Sequence, residues 1–156
     1  MGPVPGARRI RSSAGFSLLE MILVLAIAGL MAAVVIPSLP GALESARLRG
    51  SAGEVRAMFI LARTMAVSEA RNRSVAFDLE RGEFGVEGDT RKGLLPEGIR
   101  LAAVRLGDAA EERGIVRVRF YPDGSADEAV VALSSSGGGG LRVSVDPLTG
   151  MASEGT

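Results

Sequence analysis

The chain has 156 residues and a mass of 16.1 kDa, enough for one domain with its own core and short for two. It holds no Cys and no His, which removes disulfide scaffolds, thiol nucleophiles, Ser-His-Asp triads and nearly all zinc sites; 47% apolar content excludes a disordered chain, and 4% aromatics argue against base stacking. The zero net charge is unevenly laid out: residues 1–15 carry Arg8, Arg9 and Arg11 without an acid, residues 41–73 carry six Arg against three Glu, and residues 74–156 carry nine basic and fourteen acidic side chains.

In chain order, the first informative segment follows Arg11. Between Arg11 and Glu44 the only charge is Glu20, and the 21 residues from Phe16 to Ile36 are otherwise almost wholly apolar. As a helix they span roughly 31 Å, about one bilayer core. The upstream arginines predict a cytoplasmic N-terminus and a remainder that faces outward. Three readings fit this segment. A cleaved secretory signal has a shorter apolar region, of about 7–15 residues. A plain signal anchor leaves Glu20 unexplained, since a carboxylate near the start of a membrane helix costs on the order of a few kcal/mol unless paired. The third reading accounts for Glu20.

The run Gly15-Phe16-Ser17-Leu18-Leu19-Glu20 resembles the cleavage site of the type IV pilin and type II secretion pseudopilin superfamily. The resemblance implies that a prepilin peptidase cuts after Gly15 and methylates the new N-terminal residue, Phe16. It implies an assembly role for Glu20, the fifth mature residue, and it aligns Pro37 with the family's proline at mature position 22. The basic leader 1–15, the Gly-Phe pair, the Glu, the continuous apolar helix 16–36 and the following Pro form one ensemble. The physics agrees with this role. Cleavage gives Phe16 a free amine, and a carboxylate among apolar stems is tolerated when a neighbour's N-terminal amine meets it. Such a pair sets register between subunits; the plainer alternative is that Glu20 only snorkels to the membrane interface.

Pro37 and Pro40 predict a kink or break at about residues 36–41, with Gly41 adding softness; the alternative is that they end the membrane helix outright. Beyond Gly41 an apolar stripe runs through Leu48, Ala52, Val55, Phe59, Ala62 and Ala66, widened by Met58, Leu61 and Met65. Its steps of four and three predict an amphipathic helix that packs on the chain's own sheet and ends near Asn72-Arg73. Residues 37–73 are thus the second half of a stem. The arginines off the stripe read as a solvated face, or as contacts to anionic lipid or acidic neighbours.

From Ser74 the apolar period changes to two. Val75, Phe77 and Leu79, a turn at Glu80-Arg81-Gly82, and then Phe84 and Val86 predict a hairpin. Further strands are expected at about 99–106, 114–121, 128–133 and 141–145. Between them lie a polar loop at 107–113, a turn at Pro122-Asp123-Gly124, a flexible loop at Ser134–Gly140 and a turn at Asp146–Gly150 with a short tail. Six or seven short strands over 74–156 predict a small antiparallel sandwich or a pair of sheets, so the fold class is α+β.

A second, longer resemblance lies in this body. Arg119–Ser125, the Gly-rich loop and Val143–Gly150 look like the C-terminal domain of H-type minor pseudopilins, shared by FimT-like minor pilins of type IV pilus systems. The resemblance implies a β domain on a stem helix, near the tip of a periplasmic pseudopilus that supports type II secretion. It implies as partners the prepilin peptidase, other major and minor pseudopilins, inner-membrane lipid, the outer-membrane secretin and secreted cargo. The implied location is the bacterial inner membrane, single-pass, with the C-terminal domain periplasmic. The alternative is a FimT-like minor pilin with a part in DNA uptake. DNA binding needs a basic patch, yet the body is acidic and the tail Met151–Thr156 has no Arg or Lys, where FimT-like DNA binders are basic.

Other chemistry lacks a motif. No Gly-rich loop with Lys-Ser/Thr occurs, and Gly137–Gly140 reads as a mobile loop without the strand-to-helix context of a phosphate cradle. Asp108, Glu111 and Glu112 match no calcium-loop spacing, and Asp123 and Asp127 read as turn residues. The expectation is a structural assembly protein with no catalytic residue, cofactor, metal or nucleic-acid partner.

Overall fold

Ser17 opens the first helix, α1 (Leu18–Val35). Its Oγ accepts the Glu20 N–H at 3.2 Å and its carbonyl accepts the Met21 N–H at 3.2 Å, the bonding of an N-cap. The structure, a computed structural model, describes residues 17–35 and 39–155, and the chain divides into two units, Met1–Leu39 and Pro40–Thr156. The expectations at Gly15, Phe16 and Pro37 fall outside the described residues. The second helix, α2 (Leu39–Ser68), continues through Pro40 and Gly41. Pro40 stands in its first turn, where the missing N–H would have no intrahelical partner.

The predicted stripe is the buried face of α2. Leu48 is 5% exposed, and Ala52, Val55, Phe59, Ala62 and Ala66 are wholly buried. Met58, Leu61 and Met65 are partly buried against them. The helix stops at Ser68, four residues before Asn72. Ala70 takes φ 50°, and the Arg71 N–H bonds the Ala66 carbonyl at 3.2 Å, the six-to-one bond that closes a helix on a left-handed residue. Sequence reading missed this stop because Gly or Asn normally marks it, and Ala does not. Glu69 Oε2 then accepts from Arg71 Nε at 2.6 Å and from Arg73 Nη2, bracing the turn into the first strand.

Nine strands follow: β1 (Arg73–Asp78), β2 (Glu83–Val86), β3 (Lys92–Leu94), β4 (Ile99–Leu106), β5 (Ala109–Glu111), β6 (Ile115–Phe120), β7 (Ala129–Ser135), β8 (Gly140–Val145) and β9 (Ala152–Gly155). They form a four-stranded sheet, β3-β2-β1-β6, and a five-stranded sheet, β5-β4-β7-β8-β9, with every pairing antiparallel. The expected hairpin is β1–β2, with Phe77 opposite Phe84. Three of the nine strands, β3, β5 and β9, lie outside the six strands located from the sequence. β5 lies in the segment read as a polar loop, and β9 in the segment read as a tail. Each of the three is an edge strand of three or four residues, too short to show an alternating pattern.

The inner residues of both sheets and the α2 stripe share one core. Phe59 sits at its centre, with ring centroids 5.6 Å from Phe77 and 5.7 Å from Phe120. Burying a ring of this size is worth about 1.5–3 kcal/mol, which ties the stem to the four-stranded sheet. Phe84 stacks on Phe77 at 6.0 Å, and its ring covers Gly93, where any Cβ would collide with it. Only glycine lets β3 approach so closely.

Candidate assembly site

Two places could carry function: the apolar N-terminal helix, and the body surface where the family-like segments meet. Taken by itself, α1 is apolar all round. Its one ionisable residue is Glu20, in the first turn. Leu18, Leu19, Leu25, Leu30 and Met31 are each more than 60% exposed. Among the described residues the Glu20 carboxylate has no ionic partner. A helix of this kind is stable only where lipid or other helices cover it. Among the described residues no helix is long and apolar enough to cross a membrane. The described α1 has 18 residues, about 27 Å, just under a hydrocarbon core of ~30 Å. The expected span adds Ser17 together with Phe16 and Ile36, the last two lying outside the described residues.

The body brings together the two segments singled out in the sequence. Tyr121–Gly124 and Asp146–Gly150 are neighbouring turns, joined by the Ala126 N–H on the Pro147 carbonyl at 3.0 Å. Asp123 Oδ1 accepts from the Ser125 hydroxyl at 2.6 Å and its N–H at 3.0 Å, which holds its carboxyl below the usual range. Asp146 Oδ1 accepts from the Thr149 N–H at 2.8 Å, the Thr149 hydroxyl at 2.9 Å and the Leu148 N–H at 3.0 Å, with the same effect. Asp127 accepts the Tyr121 hydroxyl at 2.9 Å and the Arg119 N–H at 3.2 Å, and that hydrogen bond raises the tyrosine's pKa. Asp123 and Asp127 are therefore turn residues, as their spacing suggests.

Arg63 departs from expectation. It leaves α2 toward the body, and its Nε–H is shared between the Thr149 carbonyl at 2.8 Å and the Gly124 carbonyl at 3.2 Å. Through this one N–H the half-buried Arg63 fastens the stem to both turns. Gly150 has φ 62°, and a Cβ there would strike the Gly124 carbonyl. Arg56 also points to the body, 3.7 Å from Glu154 of β9.

The Gly-rich loop, read from the sequence as mobile, is hydrogen-bonded to α2. Glu44 of α2 accepts the Ser136 hydroxyl at 2.9 Å and the Gly137 N–H on the same Oε1. The Gly137 N–H and then the Ser136 hydroxyl lower the carboxyl's pKa. A side chain at Gly137 would occupy the carboxylate's place. Glu44 and Arg63 find their partners 61 and more residues away, so no local pattern announces them.

Comparison with known proteins follows this geometry. The family described as prokaryotic N-terminal methylation motif matches residues 10–36. No curated protein matches the chain. The fold is similar to the minor pseudopilin EpsH from the type 2 secretion system of Vibrio cholerae, with a TM-score of 0.56 at 14% identity, covering 70% of this chain and 97% of that one. It is also similar to the type IV minor pilin FimU of Pseudomonas aeruginosa PAO1, with a TM-score of 0.54 at 21% identity, covering 72% and 91%. The chain thus carries a prokaryotic N-terminal methylation motif and, in its helix and two antiparallel sheets, a fold similar to that of a minor pseudopilin and a minor pilin.

Proposed function

We propose that this protein is a minor pseudopilin, a structural subunit near the tip of a periplasmic pseudopilus that supports protein export by type II secretion. The observation that carries the reading is the coincidence, in one chain, of a methylation motif at 10–36 with a body folded like a minor pseudopilin. Residues 1–15 are a leader removed after Gly15, and Phe16 becomes the methylated N-terminus. Residues 16–36 anchor the subunit in the inner membrane and later enter the filament. Residues 37–73 are the rest of the stem, with Pro37 as its kink, and residues 74–156 are the periplasmic body.

Glu20 pairs with the N-terminal amine of a neighbouring subunit. Among the described residues the Glu20 carboxylate has no cation beside it, which favours recruitment of a subunit that brings one. The partners are the prepilin peptidase and other pilin-like subunits, with the secretin and cargo at the tip. The likeness to FimU supports a second reading, a minor pilin of a type IV pilus. The two differ in which major subunit the protein joins, which site-specific crosslinking through α1 identifies.

The test is the intact mass of the membrane-extracted protein, expressed with and without a prepilin peptidase. Loss of residues 1–15 and gain of one methyl group at Phe16, only with the peptidase, is the expected result. A full-length chain, or a cut elsewhere, overturns the filament reading.

A further inference from the structure

The five-stranded sheet buries one face and leaves the other open. On the open face Arg105 of β4 lies beside Ala110 of β5 and Val130 of β7, Ala103 beside Ala132, and Arg142 of β8 beyond Ala132. Arg100, also on β4, lies opposite Ser134. Arg100 and Arg105 are an odd number of positions apart, so a regular strand would send them to opposite faces. The β4–β7 register shifts between Leu101 and Ala103, with Ala102 as the extra residue, and the bulge turns both arginines outward while Leu101 and Val104 stay buried.

This face holds no carboxylate along its paired strands. Glu111 is registered with Val104, and Glu154 with Val143, both buried, so these acids belong to the other side. In a body with fourteen acids and nine bases, the paired positions of this face thus carry arginines and no acid, and Glu128, one position before β7, borders it. Arg100 donates its Nε–H to Ser134 Oγ at 2.9 Å, a neutral partner that aims the guanidinium without cancelling its charge. Among the described residues, neither Arg100 nor Arg105 lies in an ion pair, whereas Arg56, Arg71, Arg73, Arg81, Arg91 and Arg117 all do. Between the arginines the floor is aliphatic: a shallow groove of about 410 Å³ is lined by Ala103, Arg105, Ala110, Val130, Ala132 and Arg142.

We propose that the open face of the five-stranded sheet, organised by the Ala102 bulge, is a docking surface for an acidic segment of a partner protein. Carboxylates of that segment meet Arg100 and Arg105, and its backbone and short side chains lie on the alanine floor. A nucleic acid fits less well. The face carries three cations and no aromatic residue for stacking, and the remaining charge of the body repels a long polyanion. The proposal concerns the body and does not depend on how the N-terminus is processed.

The experiment uses the full chain in a non-ionic detergent and a fluorescent peptide of alternating Glu and Ala as probe, with anisotropy read at low and physiological salt. The expected result is salt-sensitive binding, weakened about tenfold by R100Q/R105Q and retained by R100K/R105K, which keeps the charge. R81Q/R91Q, which alters arginines outside this face, should bind as the parent does. Absence of binding at low salt overturns the proposal. So does equal weakening by the two Gln pairs. A short DNA duplex that binds tighter than the peptide and loses its affinity in R100Q/R105Q replaces the acidic segment with a nucleic acid. Unchanged thermal melting of both Gln pairs establishes that the fold is kept, and if R100Q/R105Q does not fold, the single variant R105Q must show the loss.

Discussion

Arg63 donates its Nε–H to the carbonyl oxygen of Thr149 at 2.8 Å, across 86 residues of sequence. The bond joins a helix to the Asp146–Gly150 turn, and the Gly124 carbonyl shares it. The stem and the loop ends of both sheets are therefore held as one piece. Arg63→Ala should lower stability by about 1–3 kcal/mol, the range for hydrogen bonds to a charged group, with Arg63→Lys recovering part of the loss. Gly150→Ala should destabilise the same corner, because a side chain at φ 62° meets the Gly124 carbonyl as well as backbone strain. Denaturant unfolding of the three variants checks this, and parent-like stability in all of them would remove the latch.

Glu44 should make the Gly-rich loop sensitive to acid. Its carboxyl is held below the ordinary range because the folded state offers it the Gly137 N–H and the Ser136 hydroxyl. A carboxylate with a lowered folded value stabilises above its unfolded value and loses that contribution as pH falls through the folded one. The Gly137 amide should therefore show a higher protection factor, relative to the intrinsic exchange rate at the same pH, at neutral pH than in acid. Glu44→Ala should give the low protection factor at every pH. A protection factor that ignores both pH and the substitution would mean that Glu44 does not restrain the loop.

The end of α2 offers a stabilising substitution. Ala70 sits in the left-handed region, where an L-residue with a Cβ is disfavoured by about 1–2 kcal/mol and glycine is not. Glycine loses more chain entropy on folding, which offsets part of the gain. Ala70→Gly should still raise stability by about 0.5–1 kcal/mol, read as an upward shift in melting temperature. A decrease would show that the turn is set by the Glu69–Arg71–Arg73 cluster and not by the backbone at residue 70.

Glu20 separates assembly from processing. Glu20→Ala should leave membrane insertion and leader removal intact while sharply reducing co-purification with neighbouring pilin-like subunits. Ser17 still caps α1 in that variant, since the cap uses the backbone N–H of residue 20. Normal co-purification of Glu20→Ala would remove the proposed pairing with a neighbour's amine.

What the sequence disclosed follows the range of the interactions. The α2 stripe and the β1–β2 hairpin are written in periods of 3.6 and 2, and those residues are the ones buried. The turns at Asp123 and Asp146 carry their own hydrogen-bond partners two or three residues on, so their chemistry was legible. Arg63 reads as a solvated charge and Glu44 carries no local signal, because their partners are carbonyl, amide and hydroxyl groups far along the chain. The same applies to β3, β5 and β9, which are strands only by virtue of the neighbour they pair with. The α2 terminus was missed because its left-handed residue is an alanine.

The bulge at Ala102 divides β4 into two halves that are out of phase. Ile99 and Leu101 point inward on odd positions, and Val104 does so on an even one. Removing that single small residue would leave every bond of the ladder chemically available, yet would force one half of the strand to turn over. Either Ile99 and Leu101 would be carried to the solvent with Arg100 turned into the core, or Val104 would come out with Arg105 buried in its place. Single-residue length changes in β4 should therefore be far less tolerated than substitutions at Ala102, and any relative that lacks the extra residue must compensate within the same strand or present a different outer face.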